Sequence, residues 1–132
     1  MSKIKEEYLP PRDALPEKIY TLPEIRYPNR LNIGRELLDK TAEKNKDKIA
    51  IYYKDDKIKY SELQKNVNKL ANALSDLGIE ENDRVMLRAP NIPEYIVSNF
   101  ACWKMQAIPV LTNPMLREEE ILYRANDSEA GL

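Results

Sequence analysis

Residues 60–113 read YSELQKNVNKLANALSDLGIEENDRVMLRAPNIPEYIVSNFACWKMQAIPVLTN, and the fold is decided there. Leu63, Val67, Leu70, Leu74 and Leu77 recur at steps of four and three, which lays one apolar stripe along a 3.6-residue helix. Ser61 is placed to cap that helix, and Gln64 stands where a capping box wants Glu or Gln. Gly78 stops it, because helices commonly close on a left-handed residue and glycine has no Cβ to clash there. Ile79 follows where a Schellman ending would rest an apolar side chain against Leu74. After the polar turn 80–83, Val85, Leu87 and Ala89 alternate with Met86 and Arg88, a strand over 84–89. Pro90 and Asn91 end the strand and open another helix, with Glu94 in its first turn. The pattern is βαβ, so strands near 85–87 and 108–111 are expected to run parallel in one sheet.

The second helix of that unit, 92–105, is apolar on nearly every side: Ile92, Tyr95, Ile96, Val97, Phe100, Ala101, Cys102, Trp103 and Met105. Such a helix is buried on more than one face. It calls for sheet on one side and a further layer on the other, so the isolated chain is expected to leave it under-covered and to pair with itself. Cys102 reads as an inert core thiol and Phe100 and Trp103 as packing residues, not as a nucleophile or a ligand platform. Asp83 and Arg84 read as a turn entering a strand.

Upstream, residues 1–31 hold five of the nine prolines (Pro10, Pro11, Pro16, Pro23, Pro28) among Tyr8, Leu9, Leu15, Tyr20, Leu22, Ile25 and Tyr27. Proline fixes φ and donates no N–H, which gives an extended arm and not a sheet strand. The interleaved tyrosines and leucines favour an arm lying in surface grooves over a flexible linker, and no P-x-x-P repeat marks a ligand segment. From 32 the rest is one subdomain. Asn32 caps a helix to 45 with Ile33, Leu37, Leu38, Thr41 and Ala42 facing inward, and 49–53 is a strand. A turn at Asp55-Asp56 leads back into 57–60 as the edge of a hairpin, with Ile58 between two lysines. Downstream, Thr112-Asn113-Pro114 leads to a helix over 117–126 with Ile121, Leu122 and Ala125 inward. Glu118, Glu119 and Glu120 begin it, a solvated run matched to the helix dipole and not a metal site.

Composition removes several classes of function. Twenty-one basic and twenty-two acidic residues leave a net charge of −1, with no block of like charge to attract nucleic acid or an anionic membrane. One cysteine and no histidine exclude an internal disulfide, a Cys/His zinc site and imidazole as a base. The opening Met-Ser-Lys-Ile-Lys-Glu-Glu is too polar for a signal peptide, and 95–111 is broken by Ser98, Asn99, Lys104 and Gln106. A cytoplasmic protein without a transmembrane segment is the expectation.

The same residues carry a resemblance. A leucine-rich helix, LG-x4-D-R-V, a strand, the pair P-N, a long apolar helix and P-V-L-T-N-P are similar to the adenylate-forming ligases. That superfamily holds the acyl- and aryl-CoA synthetases, the adenylation domains of peptide synthetases and the luciferases. The opening LPPRDALPE and LPEIRYPNRLNIGRELLD resembles benzoate- and aminobenzoate-type CoA ligases. The chain departs at Asn82, where G-D-R-V is usual, and at Gln106, where glycine often precedes the second strand.

The resemblance implies an α/β fold: the N-terminal portion of the large domain, helices packed on a mostly parallel sheet, with 32–132 an incomplete subdomain. It implies ATP, Mg2+, coenzyme A and a carboxylic acid as ligands of the full enzyme. In some CoA-ligating relatives a basic residue just after N-P approaches a phosphate of coenzyme A. Met115 stands there, so Arg117, two residues on, is the weak candidate for that contact. No catalytic or metal-binding residue is expected in this chain. Phosphate loops work through clustered small residues, and Gly34, Gly78 and Gly131 are the only glycines, none near another. The family's phosphate loop, ribose contact, catalytic glutamate and mobile lysine would lie beyond Leu132, where another strand is also expected. The chain itself is then expected to be inactive, the alternatives being a free-standing α/β binding module and a folding fragment.

Overall fold

The computed structural model describes residues 9–17 and 19–131, which fall into two units, Met1–Leu31 and Asn32–Leu132. The opening heptapeptide, Tyr8 and Leu132 lie outside the described residues. Among its described residues the first unit has two single 3-10 turns, Arg12–Ala14 and Pro23–Ile25, the second with proline at its start.

The second unit opens with a helix whose first turns are wide. Arg35–Asp39 is a π-helical segment that continues as α1, Lys40–Asn45, with the Lys40 N–H donating to the Arg35 carbonyl. Asn32 caps it as expected: its Oδ1 accepts the Arg35 N–H at 2.9 Å. The inner face differs from the expected one. Gly34, Leu38 and Ala42 are buried, whereas Ile33 and Leu37 are exposed. The cause is a close approach: a Cβ on Gly34 would lie 2.8 Å from the Lys104 N and 2.9 Å from its Cα. The line of nearest contact therefore runs through 34, 38 and 42, and the neighbouring stripe faces water.

Strands β1, Ile49–Tyr53, and β2, Asp56–Lys59, pair antiparallel with Tyr53 opposite Asp56. The turn is Lys54-Asp55, not Asp55-Asp56, and Lys54 takes the left-handed conformation at φ 52°. Helix α2, Tyr60–Asp76, begins one residue earlier than its expected cap, and neither Ser61 nor Gln64 caps it. The free N–H groups of Tyr60 and Ser61 donate instead to the carbonyls of Lys48 and Lys46, so no side chain is needed there. Leu63, Val67, Ala71 and Leu74 form its buried face, with Leu70 half-buried; Leu77, past the last turn, is exposed. The Schellman ending is formed: Gly78 has φ 89°, the Ile79 N–H donates to Leu74 and the Gly78 N–H to Ser75.

Strand β3, Arg84–Arg88, and β4, Ile108–Thr112, run parallel with Arg84 opposite Ile108 and Arg88 opposite Thr112. Helix α3, Pro93–Lys104, crosses between them. Its cap residue is Ile92, followed by proline at the first helical position, and Asn91 makes no cap bond. At its far end Gln106, at φ 64°, takes the left-handed position of a second Schellman ending, with Ala107 donating to Cys102. Asn82 is left-handed too, at φ 71°, and its N–H donates to the Gln106 carbonyl. The two departures from the glycine pattern thus adopt the glycine conformation and are bonded to each other. Helix α4, Glu118–Ser128, contributes no fully buried residue: Ile121 and Ala125 are half-buried and Leu122 is exposed. After α4 the Gly131 N–H donates to the Arg84 carbonyl, and Arg84 pairs with Glu129 at 3.5 Å.

One core joins these elements: Leu38, Leu63, Val67, Ala71, Leu74, Val85, Ala101, Cys102 and Ala107. Each of its larger aliphatic side chains contributes about 1.5–3 kcal/mol by leaving water. Helix α3 turns Ala101 and Cys102 into this core, while Ile96 is more than a third exposed and Tyr95, Phe100 and Trp103 are only half-buried. Its second side is therefore incompletely covered.

Candidate functional site

In parallel sheets the strand ends feed loops that leave the sheet at one edge, and ligand sites gather there. In this chain the carboxyl ends of β3 and β4 open onto a groove of about 510 Å³. One wall is Ala89, Pro90, Asn91 and Tyr95; the other runs from Leu111 through Thr112, Asn113 and Pro114 to Met115. The P-N and T-N-P segments read from the sequence thus face one another. Thr112 is buried and its hydroxyl donates to the Leu87 carbonyl at 3.0 Å, which stitches the two strand ends together.

The second wall is a tight turn. The Asn113 Oδ1 accepts the Met115 N–H at 2.9 Å, and the Leu116 N–H donates to the Asn113 carbonyl. Met115 at its tip is 87% exposed. Arg88 reaches across from the end of β3, and its Nη2 donates to the Pro114 carbonyl at 3.0 Å and the Leu116 carbonyl at 2.8 Å. Nothing in the local sequence signals that bridge, since its partners lie more than 25 residues away. Arg117, the sequence candidate, sits at the cap position of α4, exposed, with its N–H held by the Glu120 carboxylate at 3.0 Å.

A second polar cluster lies where α2 and α3 meet the first helix. Lys104 Nζ donates to Asp39 Oδ1 at 2.7 Å and also to Asn68 Oδ1, while Gln64 Nε2 donates to the same Asp39 oxygen at 2.9 Å. The Asn32 Nδ2 donates to the Lys104 carbonyl. Burial pushes the Asp39 carboxyl up, but the Lys104 ammonium and the Gln64 amide outweigh it and hold Asp39 below its usual range. With side chains 17% and 25% exposed, Asp39 and Lys104 form a largely buried ion pair that ties three helices. A broad open groove lies beside it, lined by Asn68, Asn72, Ser75, Glu80, Glu81 and Lys104 among others. Cys102 is fully buried, and burial pushes its thiol up, away from the reactive thiolate. Phe100 and Trp103 meet edge to face at 5.3 Å, a packing contact within one helix.

The residues present do not fit a triphosphate with its magnesium. Among the described residues no three acidic side chains converge, and the glycines stand at a helix contact, a helix end and the close of the described chain. The groove lining ends at Met115, two residues before the exposed Arg117. Among the described residues no helix is long and apolar enough to cross a membrane.

Comparison with known proteins agrees with this geometry. The sequence profile described as "AMP-binding enzyme" matches residues 38–132. The acetyl-coenzyme A synthetase of Magnetococcus marinus is 40% identical over 85 residues, which are 60% of this chain and 13% of that protein. The 2,3-dihydroxybenzoate-AMP ligase of Bacillus subtilis is 37% identical over 96 residues, 73% of this chain and 18% of that one. The O-succinylbenzoate coenzyme A synthetase of Bacillus subtilis, solved in complex with AMP, superposes with a TM-score of 0.69 at 26% identity, over 71% of this chain and 25% of that one. The chain thus spans less than a fifth of the length of these curated relatives. Its βαβ core is that of the N-terminal subdomain of such enzymes, and the chain belongs to the AMP-binding, adenylate-forming ligase family.

Proposed function

We propose that residues 32–132 are an incomplete front subdomain of an ATP-dependent acid–CoA ligase, with 1–31 as its extended arm. The full enzyme joins a carboxylic acid to ATP as an acyl adenylate, releasing pyrophosphate, and then passes the acyl group to the thiol of coenzyme A, releasing AMP. ATP with Mg2+ supplies the leaving group for the first step; the residues that perform it lie outside this chain. The observation that carries the reading is the paired P-N and N-P loops at the carboxyl ends of two parallel strands, within the stretch matched to AMP-binding enzymes. Arg117 is the one residue here proposed to touch a ligand, a phosphate of coenzyme A. An aromatic acid is favoured by the opening arm alone, since the relatives include acetyl-coenzyme A synthetases as well as aryl acid ligases. A cytoplasmic location is part of the proposal, supported by the polar opening residues.

Two features support a missing neighbour. Asn99 Oδ1 on α3 is buried without a hydrogen-bond partner among the described residues. The Gly131 N–H meets the edge of β3 opposite β4, where a further parallel strand would lie. In the isolated chain the exposed apolar surface of α3 and α4 is proposed to drive self-association. The alternative is a stand-alone α/β binding module, favoured by the single core that joins the elements of the second unit. Sequencing the transcript past the Leu132 codon separates the two. A Ser/Thr/Gly-rich segment ending in lysine within the following several dozen codons is expected; an immediate stop codon would leave the module.

A further inference from the structure

Arg88 ends β3 and spends both N–H bonds of one guanidinium nitrogen on the turn that follows β4. The two carbonyls it holds flank Met115, so the bonds pinch the turn from both ends. The second belongs to Leu116, whose peptide leads directly into Arg117. Among the described residues the turn has two other ties: Asn113 Oδ1 to the Met115 N–H, and the Leu116 N–H to the Asn113 carbonyl. Both lie within the turn and fix its shape, whereas Arg88 fixes its place on the sheet. Carbonyl acceptors leave the guanidinium charge in place, and Arg88 makes no ion pair among the described residues. Arginine suits this task because its planar fork loses little freedom per bond made.

We infer that Arg88 is the positioning residue of the groove: it anchors the 113–116 turn to the end of β3 and thereby sets where Arg117 presents its charge to a coenzyme phosphate. The inference rests on the reading of Arg117 as the phosphate contact. Its structural half stands apart from that reading, so the two fail separately.

The test uses the 132-residue chain labelled with nitrogen-15, as wild type, Arg88→Met, Arg88→Lys and Arg117→Met, with coenzyme A and pantetheine as probes. Without ligand, Arg88→Met is expected to move the amide signals of residues 113–117 and to speed amide exchange at Met115 and Leu116, leaving α2 unmoved. Arg117→Met is expected to leave the turn in place. With coenzyme A, both methionine variants are expected to bind about tenfold more weakly, the size of one lost charge-assisted contact. Pantetheine, which lacks the phosphates, should distinguish none of them. Arg88→Lys, which keeps the charge but not the fork, is expected to restore less than half of the loss. Turn signals and exchange unchanged in Arg88→Met would overturn the inference. A moved turn with coenzyme A failing to bind the wild type would instead overturn the Arg117 reading, leaving Arg88 as the anchor of the turn. Full rescue by lysine would overturn the requirement for a fork.

Discussion

Replacing Gly34 with alanine tests the helix contact on which the second unit is built. Gly34 has ordinary helical angles, φ −60° and ψ −44°, so propensity alone predicts that alanine gains about 1 kcal/mol there. Packing predicts the reverse. The new methyl would stand 2.8 Å from Lys104 N and 2.9 Å from its Cα, where carbon contacts are comfortable at about 3.5–4.0 Å. Both atoms are backbone, so no side chain can swing away and the helices must part by roughly 0.7 Å. That movement pulls on the Asn32–Lys104 and Lys104–Asp39 bonds, now 2.9 and 2.7 Å, and brings both to about the 3.5 Å limit. Overpacking of this kind costs about 1–3 kcal/mol and each weakened bond about 1 kcal/mol. After the propensity gain the net loss is about 2–4 kcal/mol. For a domain near 100 residues that lowers the melting temperature by at least about 8 °C and by up to about 30 °C. Calorimetry and urea unfolding measure it, with Gly131→Ala as control. A Cβ there meets nothing within 4 Å and should change stability by less than about 0.5 kcal/mol. A Gly34→Ala chain melting at or above the wild type would refute the close approach.

Gly78→Ala meets no neighbour but keeps φ at 89°, so it should cost about 1 kcal/mol through strain alone, read as a melting point lower by about 4–8 °C. Gln106→Gly relieves the same strain at the end of α3 and should stabilise the chain by about 0.5–1 kcal/mol; a loss would contradict the second Schellman ending. Because Asp39 is held below its ordinary value near 3.8, its contribution is complete above that pH and is lost as pH falls through the folded-state value. Urea unfolding of Asp39→Asn should therefore show a weaker fall in stability below about pH 4 than the wild type. Sedimentation should show a self-associating chain that binds a hydrophobic dye; a dye-free monomer would refute the under-covered α3.

Much of the fold is legible in the sequence because it is local. The α2 stripe, the Gly78 stop and the parallel pair β3–β4 each follow from spacing within about thirty residues. Apart from the hairpin turn, which falls at Lys54-Asp55, and the start of α3 at Ile92, the misses are non-local. Ser61 satisfies every rule for a cap, yet carbonyls of Lys46 and Lys48 reach the free N–H groups first. Gln64 turns to Asp39, 25 residues back, and Lys104 reaches the same carboxylate across 65. Lys104 closes α3, where a basic residue is the ordinary match to the helix dipole, so nothing local marked it as the partner of Asp39. Gly34 was no turn glycine, and only the backbone of Lys104 explains it. At the groove, Arg117 and the paired loops could be named from motifs, but Arg88 could not. Alternation alone gives a residue its face, never the turn it holds.

The central claim is that these residues shape a subdomain of an adenylate-forming ligase without supplying its adenylation chemistry. Forming an acyl adenylate requires donors and a metal ion gathered at the transferring phosphorus, and among the described residues no three acidic side chains converge to hold that ion. The direct measurement is calorimetric titration of the purified chain with ATP and magnesium, alongside exchange of labelled pyrophosphate into ATP over a panel of aliphatic and aromatic acids. The account predicts no exchange at any protein concentration and no ATP binding tighter than millimolar, about −4 kcal/mol. Micromolar ATP binding, or exchange above background with any acid, would contradict it.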